Sequence, residues 1–479
     1  MHKRITRLIA ALCLLASPGA ADTLLTKDGR IVDGPQMERV DGAIVIHFEN
    51  GDVTVPEEMV QEVFIEAELA EIPKNRRRKI ERQIKEKRKQ IEEASGHAKW
   101  RDRYNEETAN FNWQYTIPKH IALGLQMRFE AYYKVFAKEW KLKRDKRKPK
   151  LPVNFYRDSE QFHRTSGAGG GTLAYFRFVE PYDLNACYDR VDPRGTEMVL
   201  YHELSHYLQT LINEKFTMPH WPGEGIAEYF GGALWNEEKK KLEIGLIQQG
   251  RLTEVKGDID NGIFVSIRET VTKDAYSDYT WGWALVHFFM TRPEYKKGFQ
   301  RYVVGLARQK GVKRIPYAFG LTTVAGEESL RYLMQCLKIK NDKQLAEVQR
   351  EFYTYIEEEL QLEGALGLEK AALAARRVGK SIRAKRLFSE AEEAGGLSAL
   401  GCYQYAQLVR HKDRGLAKKL YQRAIVLDPL VGTFYYEYAR LIEKDDKQEA
   451  ERYKALAKEL DPEVDTWVID LTFDAGDDD

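Results

Sequence analysis

The chain has 479 residues, 43% hydrophobic and 31% charged, too many for one ordinary core, so about two to four domains of a globular protein are expected. With 75 Lys and Arg against 74 Asp and Glu, no global charge argues for a nucleic-acid partner. Past the N-terminus no apolar run reaches the ~18 residues that a membrane-spanning helix needs, so no transmembrane segment is expected.

The first residues join a basic stretch, MHKRITR, to an apolar one, LIAALCLLA, and end in small residues, SPGAAD. This is the layout of a cleaved secretory signal, residues 1–21, with cleavage expected after Ala21. Cys13 follows Leu12 rather than a small residue, which argues against an acylated N-terminus. The mature protein is therefore expected in the periplasm or outside the cell.

Residues 22–65 read as a small β module. Two apolar runs flank Lys27-Asp28-Gly29, and two more flank Asn50-Gly51, a strong hairpin signal. Residues 66–110 read as a charged helical linker, with Ile80, Ile84 and Ile91 at helical spacing and Glu81 placed four residues before Lys85. Interleaved acids argue against a nucleic-acid arm. A further helix is expected from near Pro118 into the basic run KLKRDKRKPK, residues 141–150, stopped by Pro149 and Pro152.

Between 151 and 192, LPVNFYRD, TLAYFRFVEP and LNACYDRV read as strands. The intervening TSGAGGG is followed by Thr172-Leu173, not Gly-Lys-Ser/Thr, so it reads as a loop beside a cleft and not as a phosphate cradle.

The next stretch, EMVLYHELSHYLQTLI, places His202 and His206 one turn apart on a single helix face, able to reach one ion. Glu203 is rotated about 100° from His202, beside such an ion and not on it. Pro193 and Gly195 mark a sensible start for this helix. Two histidines point to zinc, which needs a third protein ligand and keeps its fourth position for water. In MPHWPGEGIAEYFGG, Glu224 comes eighteen positions after His206, in a segment that Pro222 is expected to start as a second helix. Glu228 stands one turn further along the same face. Such a pair suits one acid on the metal and the other behind a ligand imidazole. His287, in the apolar run WALVHFF, reads as a core histidine.

Toward the C-terminus Ala384, Ala417 and Ala450 recur every thirty-three residues, as do Ala391, Ala424 and Ala457. AIVLDP at 424–429 aligns with AKELDP at 457–462. This resembles tetratricopeptide repeats, whose helical stacks often bind a protein partner. The tail TFDAGDDD is acidic. Cys187, Cys336 and Cys402 have no metal-site spacing and allow one disulfide at most.

HELSH followed by WPGEGIAEYF resembles the gluzincin metallopeptidases, in particular their peptidase-MA-like bacterial members. The resemblance implies zinc on His202, His206 and Glu224, with Glu203 as general base and Glu228 as a supporting carboxylate. Tyr279, in DYTW, is the candidate donor to the oxyanion, with Tyr229 and His220 as alternatives. The Gly-x-Met-Glu-Asn strand of the gluzincin aminopeptidases is missing, which leans toward an endopeptidase acting on peptide or protein substrates.

The expected architecture is an α+β zincin-like metallopeptidase domain at 111–360. The β module and charged helix precede it, and all-α tetratricopeptide-like repeats at 361–465 and the acidic tail at 466–479 follow. The contrasting expectation is a catalytically silent cell-envelope scaffold that uses the same domain as a binding fold.

Overall fold

The computed structural model describes residues 22–27, 30–69, 72–142, 147–169, 172–273, 279–309, 311–462 and 464–465. The secretory-signal stretch, the acidic tail and part of the Lys27-Asp28-Gly29 turn lie outside them. The chain divides into two compact units, residues 1–86 with 428–462, and residues 87–427 with 463–479.

The first unit contains two antiparallel sheets. One has the order β2 (Ile31–Asp33), β1 (Thr23–Thr26), β6 (Val60–Phe64); the other is the meander β3 (Gln36–Val40), β4 (Ala43–Phe48), β5 (Gly51–Pro56). Alternation buries Ile44 and Ile46 from β4 with Val53 and Val55 from β5, as a sheet with one covered face requires. The Asp22 carboxylate accepts the N–H groups of Met37 and Glu66, each at 2.7 Å.

The β4–β5 turn differs from its expected position. Phe48 pairs with Gly51, so Glu49 and Asn50 form the turn, one residue earlier than Asn50-Gly51. The reason is a tertiary contact: Glu459 accepts the N–H of Glu49 at 2.9 Å and that of Asn50 at 3.1 Å. Its helix, Lys447–Leu460, and the preceding helix, Gly432–Ile442, complete this unit. The charged stretch is a helix, Lys74–Gly96, with Arg77 as the partner of Glu81 at 3.0 Å and Ile80 buried beside Phe64.

The second unit is built on a five-stranded sheet. Its order is β10 (Ala174–Arg177), β11 (Asp183–Cys187), β9 (Leu151–Tyr156), β8 (Phe111–Tyr115), β7 (Tyr104–Glu107). The central three strands are parallel and the two outer ones antiparallel to their neighbours. The helix Lys119–Trp140 stops short of the basic run expected to continue it: Lys141 takes the left-handed conformation and the Leu142 N–H closes onto the Ala137 carbonyl at 2.9 Å. It supplies Phe129, Tyr132, Phe136 and Trp140 to the main core, which also takes Trp113 from the sheet and Tyr201 and Phe230 from later helices. Two helices that follow the sheet, Pro193–Thr210 and His220–Gly231, carry the motif residues.

A run of helices then leads to paired ones, Gly364–Arg377 with Ser381–Ala394 and Ala399–Val409 with Arg414–Leu427. The alanines of the thirty-three-residue period, Ala384, Ala391, Ala417, Ala424, Ala450 and Ala457, are all fully buried, each within its own unit. The chain is thus an α+β region followed by helical repeats. Among the described residues no helix is long and apolar enough to cross a membrane. Cys187, Cys336 and Cys402 are buried free thiols.

Candidate metal centre

The helix Pro193–Thr210 starts where Asp192 caps it, accepting the N–H of Gly195 at 2.7 Å, with Pro193 in the first turn, where its missing N–H costs nothing. It is held to the Lys119–Trp140 helix by the Tyr132 hydroxyl, 2.6 Å from the fully buried Ser205 and donating to the Tyr201 carbonyl at 2.9 Å. The second helix starts at His220 after Pro219, two residues earlier than Pro222 would set it. Pro222 is tolerated because N–H groups in the first turn have no partner inside the helix. Gln209 ties the two helices together by donating to the Gly223 carbonyl at 3.0 Å.

These contacts bring the motif residues to one point. His206 Nε2 lies 3.1 Å from His202 Nε2, and Glu224 Oε2 lies 3.3 Å from His202 Nε2 and 3.5 Å from His206 Nε2. Beyond these two imidazoles, buried Glu224 Oε2 has no hydrogen-bond donor among the described residues. The three side chains form a group that could hold a metal ion.

Glu228 stands behind His202, its Oε1 3.3 Å from Nδ1. In a neutral His202 that contact favours the proton on Nδ1, which turns Nε2 toward the cluster. Arg251 donates to the same carboxylate oxygen at 2.7 Å, and Gln248 donates to the other at 3.0 Å. Burial opposes charge on Glu228, but Arg251 and His202 outweigh it and hold its carboxyl down at about 2. Burial likewise disfavours a charged His202, yet Glu224 and Glu228 raise it to about 10. Glu224 is held well below the usual carboxylate range by the two imidazoles, despite its burial. A pocket so rich in carboxylate favours positive charge at the histidines.

Glu203 points toward the sheet edge, where its Oε2 accepts the N–H of Phe176 in β10 at 2.9 Å. Tyr279 lies over the cluster, its ring nearly parallel to that of His202 at 6.2 Å. Burial and the carboxylates of Glu224, Glu228 and Glu203 push its phenol pKa up, so it is a hydrogen-bond donor. His220 joins it from the side, ring to ring at 5.7 Å. Tyr229 is turned away into the core against His287.

Two cavities flank this centre. One of about 930 Å³ takes in His206, Glu224, Phe176, His220 and Tyr279; one of about 300 Å³ takes in His202, Glu203, Glu228, Arg251 and Tyr279. Sequence reasoning missed Arg251, Gln248 and the Phe176 N–H, which belong to no local motif. No protein-family model matches the chain, and no curated protein matches it significantly.

Proposed function

We propose that this chain is an exported zinc metallopeptidase of the gluzincin kind, with a zincin-like catalytic domain and a tetratricopeptide-like module for protein contact. The observation that carries the reading is the convergence of His202 Nε2, His206 Nε2 and Glu224 Oε2 at separations of 3.1, 3.3 and 3.5 Å. Nitrogen and oxygen donors set tetrahedrally at about 2.0–2.1 Å from zinc stand about 3.3 Å apart, so the donor set fits without rearrangement. Glu224 Oε2 fits it too, because among the described residues only the two ligand imidazoles face this buried carboxylate oxygen, which is costly unless a cation or donor does. Glu228 supplies the outer contact that orients a ligand imidazole.

When bound, zinc supplies Lewis acidity toward the scissile carbonyl and a coordinated water acidified to a pKa of about 7. The chain's own residues then divide the remaining work. Glu203 is fixed by Phe176 through Oε2, so Oε1 is left to take the proton of the attacking water and return it to the leaving amine nitrogen. Tyr279, kept protonated, donates to the oxygen that gains charge. Cavities on both sides of Tyr279 leave room for chain beyond either end of the cleaved bond, which suits an endopeptidase.

The test combines metal analysis with digestion of unfolded protein. Wild type should carry one zinc and cleave, His202→Ala with His206→Ala should carry none, and Glu203→Gln should keep zinc while losing about 10²–10⁴-fold in rate. Zinc retained by the double histidine variant would sink the site. Zinc in a wild type that cleaves nothing would favour the silent scaffold.

A further inference from the structure

Beyond Glu203 the groove opens into a cavity that no step above uses. It measures about 600 Å³ and lies between Leu173 and Ala174 at the start of β10, the beginning of the Pro193–Thr210 helix, and the paired helices that follow Gly364. Val199, Arg377 and Val378 line both this cavity and the smaller one beside Glu203, so the two adjoin.

Its walls hold an excess of positive charge: Arg376, Arg377, Lys385 and Lys412 against Asp189 and Asp192. Both acids are already engaged. Asp192 caps its helix and pairs with Arg377 at 3.3 Å, and Asp189 accepts the N–H groups of Val191 at 2.8 Å and Asp192 at 3.1 Å. Arg376 donates to Gln404, a neutral partner. Lys385 and Lys412 have no side-chain partner among the described residues. Leu173, Val199 and Leu373 give the cavity apolar walls, which strengthen the pull of these cations on an anion.

We infer that this cavity is a subsite for a carboxylate carried by the bound peptide on the C-terminal side of the cleaved bond. The identity of the ligand as a peptide rests on the metallopeptidase reading. Direction follows from the sheet: β10 is an edge strand and runs from Ala174, at this cavity, to Phe176, beside Glu203. A peptide laid antiparallel along that edge strand, whose Phe176 N–H is already given to Glu203, points its C-terminus toward the cavity. At about 3.4 Å per residue, the carboxylate belongs about two or three residues past the cleaved bond. It comes either from the peptide's own C-terminus or from an Asp or Glu side chain, and the chemistry of recognition is the same.

The experiment compares four matched peptides: free or amidated at the C-terminus, and with Glu or Gln at the second and third positions after the bond. Wild type should favour a carboxylate-bearing peptide by about tenfold in kcat/KM, mostly through KM. Lys385→Gln with Lys412→Gln, both away from the core, should bring that ratio toward one and flatten its dependence on salt. Preference for the free C-terminus identifies the terminal carboxylate, and preference for Glu in both amidated and free peptides identifies the side chain. Cleavage of all four peptides at equal rates overturns the subsite and leaves the peptidase reading standing. If nothing is cleaved, fluorescence titration of the same peptides decides: carboxylate-dependent binding lost in the double lysine variant upholds the subsite without the peptidase, and binding blind to charge overturns it.

Discussion

At the scale of single residues, histidines of one chain are put to opposite uses. His202 and His206 face carboxylates, whereas His287 is 3% exposed and neutral. Its Nε2 donates to the Gly245 carbonyl at 3.0 Å, and Nδ1 accepts from the Tyr355 hydroxyl at 2.6 Å, so both ring nitrogens are satisfied. The other groups facing it are the rings of Tyr229 and Trp283, which carry no charge. Burial therefore lowers its pKa from 6.5 to about 4. Because the folded value lies below the unfolded one, the unfolded chain binds the proton first. The stability is full above pH 6.5 and is lost as the pH falls toward 4, by about 3 kcal/mol in all. His287→Gln, which cannot titrate, should show a shallower fall in urea midpoint across that window than wild type. Equal slopes would mean that His287 is charged in the fold.

At the scale of elements, the site depends on how closely two helices cross. A Cβ on Gly225 would stand 2.6 Å from the Gly282 carbonyl oxygen and 2.8 Å from Val286, both in or at the start of the buried helix Trp281–Thr291. Gly231 likewise approaches His202 Cβ, at 3.6 Å for an added Cβ. Small residues in WPGEGIAEYFGG therefore let the glutamate-bearing helix lie against its neighbours at backbone distance. Gly225→Ala must push the crossing apart and should cost about 1–3 kcal/mol. Glu224 is the adjacent residue, so the variant should also lose metal affinity. The readouts are the urea midpoint and metal content after dialysis. A variant with wild-type stability would show that the helices part without cost. The small residues and the apolar run WALVHFF were each visible in the sequence; that the two segments cross at Gly225 was not.

At the scale of the whole molecule, the N-terminal β module shares its unit with the last helical pair. Arg30 pairs with Asp428 at 2.8 Å, and Glu459 holds the β4–β5 turn through Glu49 and Asn50. Glu459→Ala leaves those N–H groups without their acceptor and should destabilise this unit by about 1–3 kcal/mol. Proteolysis in mild denaturant should then cut residues 22–65 sooner than in wild type, while the proposed zinc binding by His202, His206 and Glu224 in the other unit should be unchanged. Unchanged cleavage would make the contact incidental.

What the sequence determined by itself is whatever repeats over one or two turns: the strands at 151–192, the shared face of His202 and His206, the pairing of Glu224 with Glu228, and the thirty-three-residue alanine period. All but the alanine period follow from helix or strand geometry within a short segment, and that period follows from repetition of one helical pair. Tertiary structure decided what distant segments bring to one another. It placed Arg251 and Gln248 behind Glu228, the Phe176 N–H on Glu203, Glu459 under the turn at Asn50, and four cations around one cavity. The physical reason is that local periodicity sets which face a side chain occupies, whereas its partner is set by packing between elements far apart in the chain.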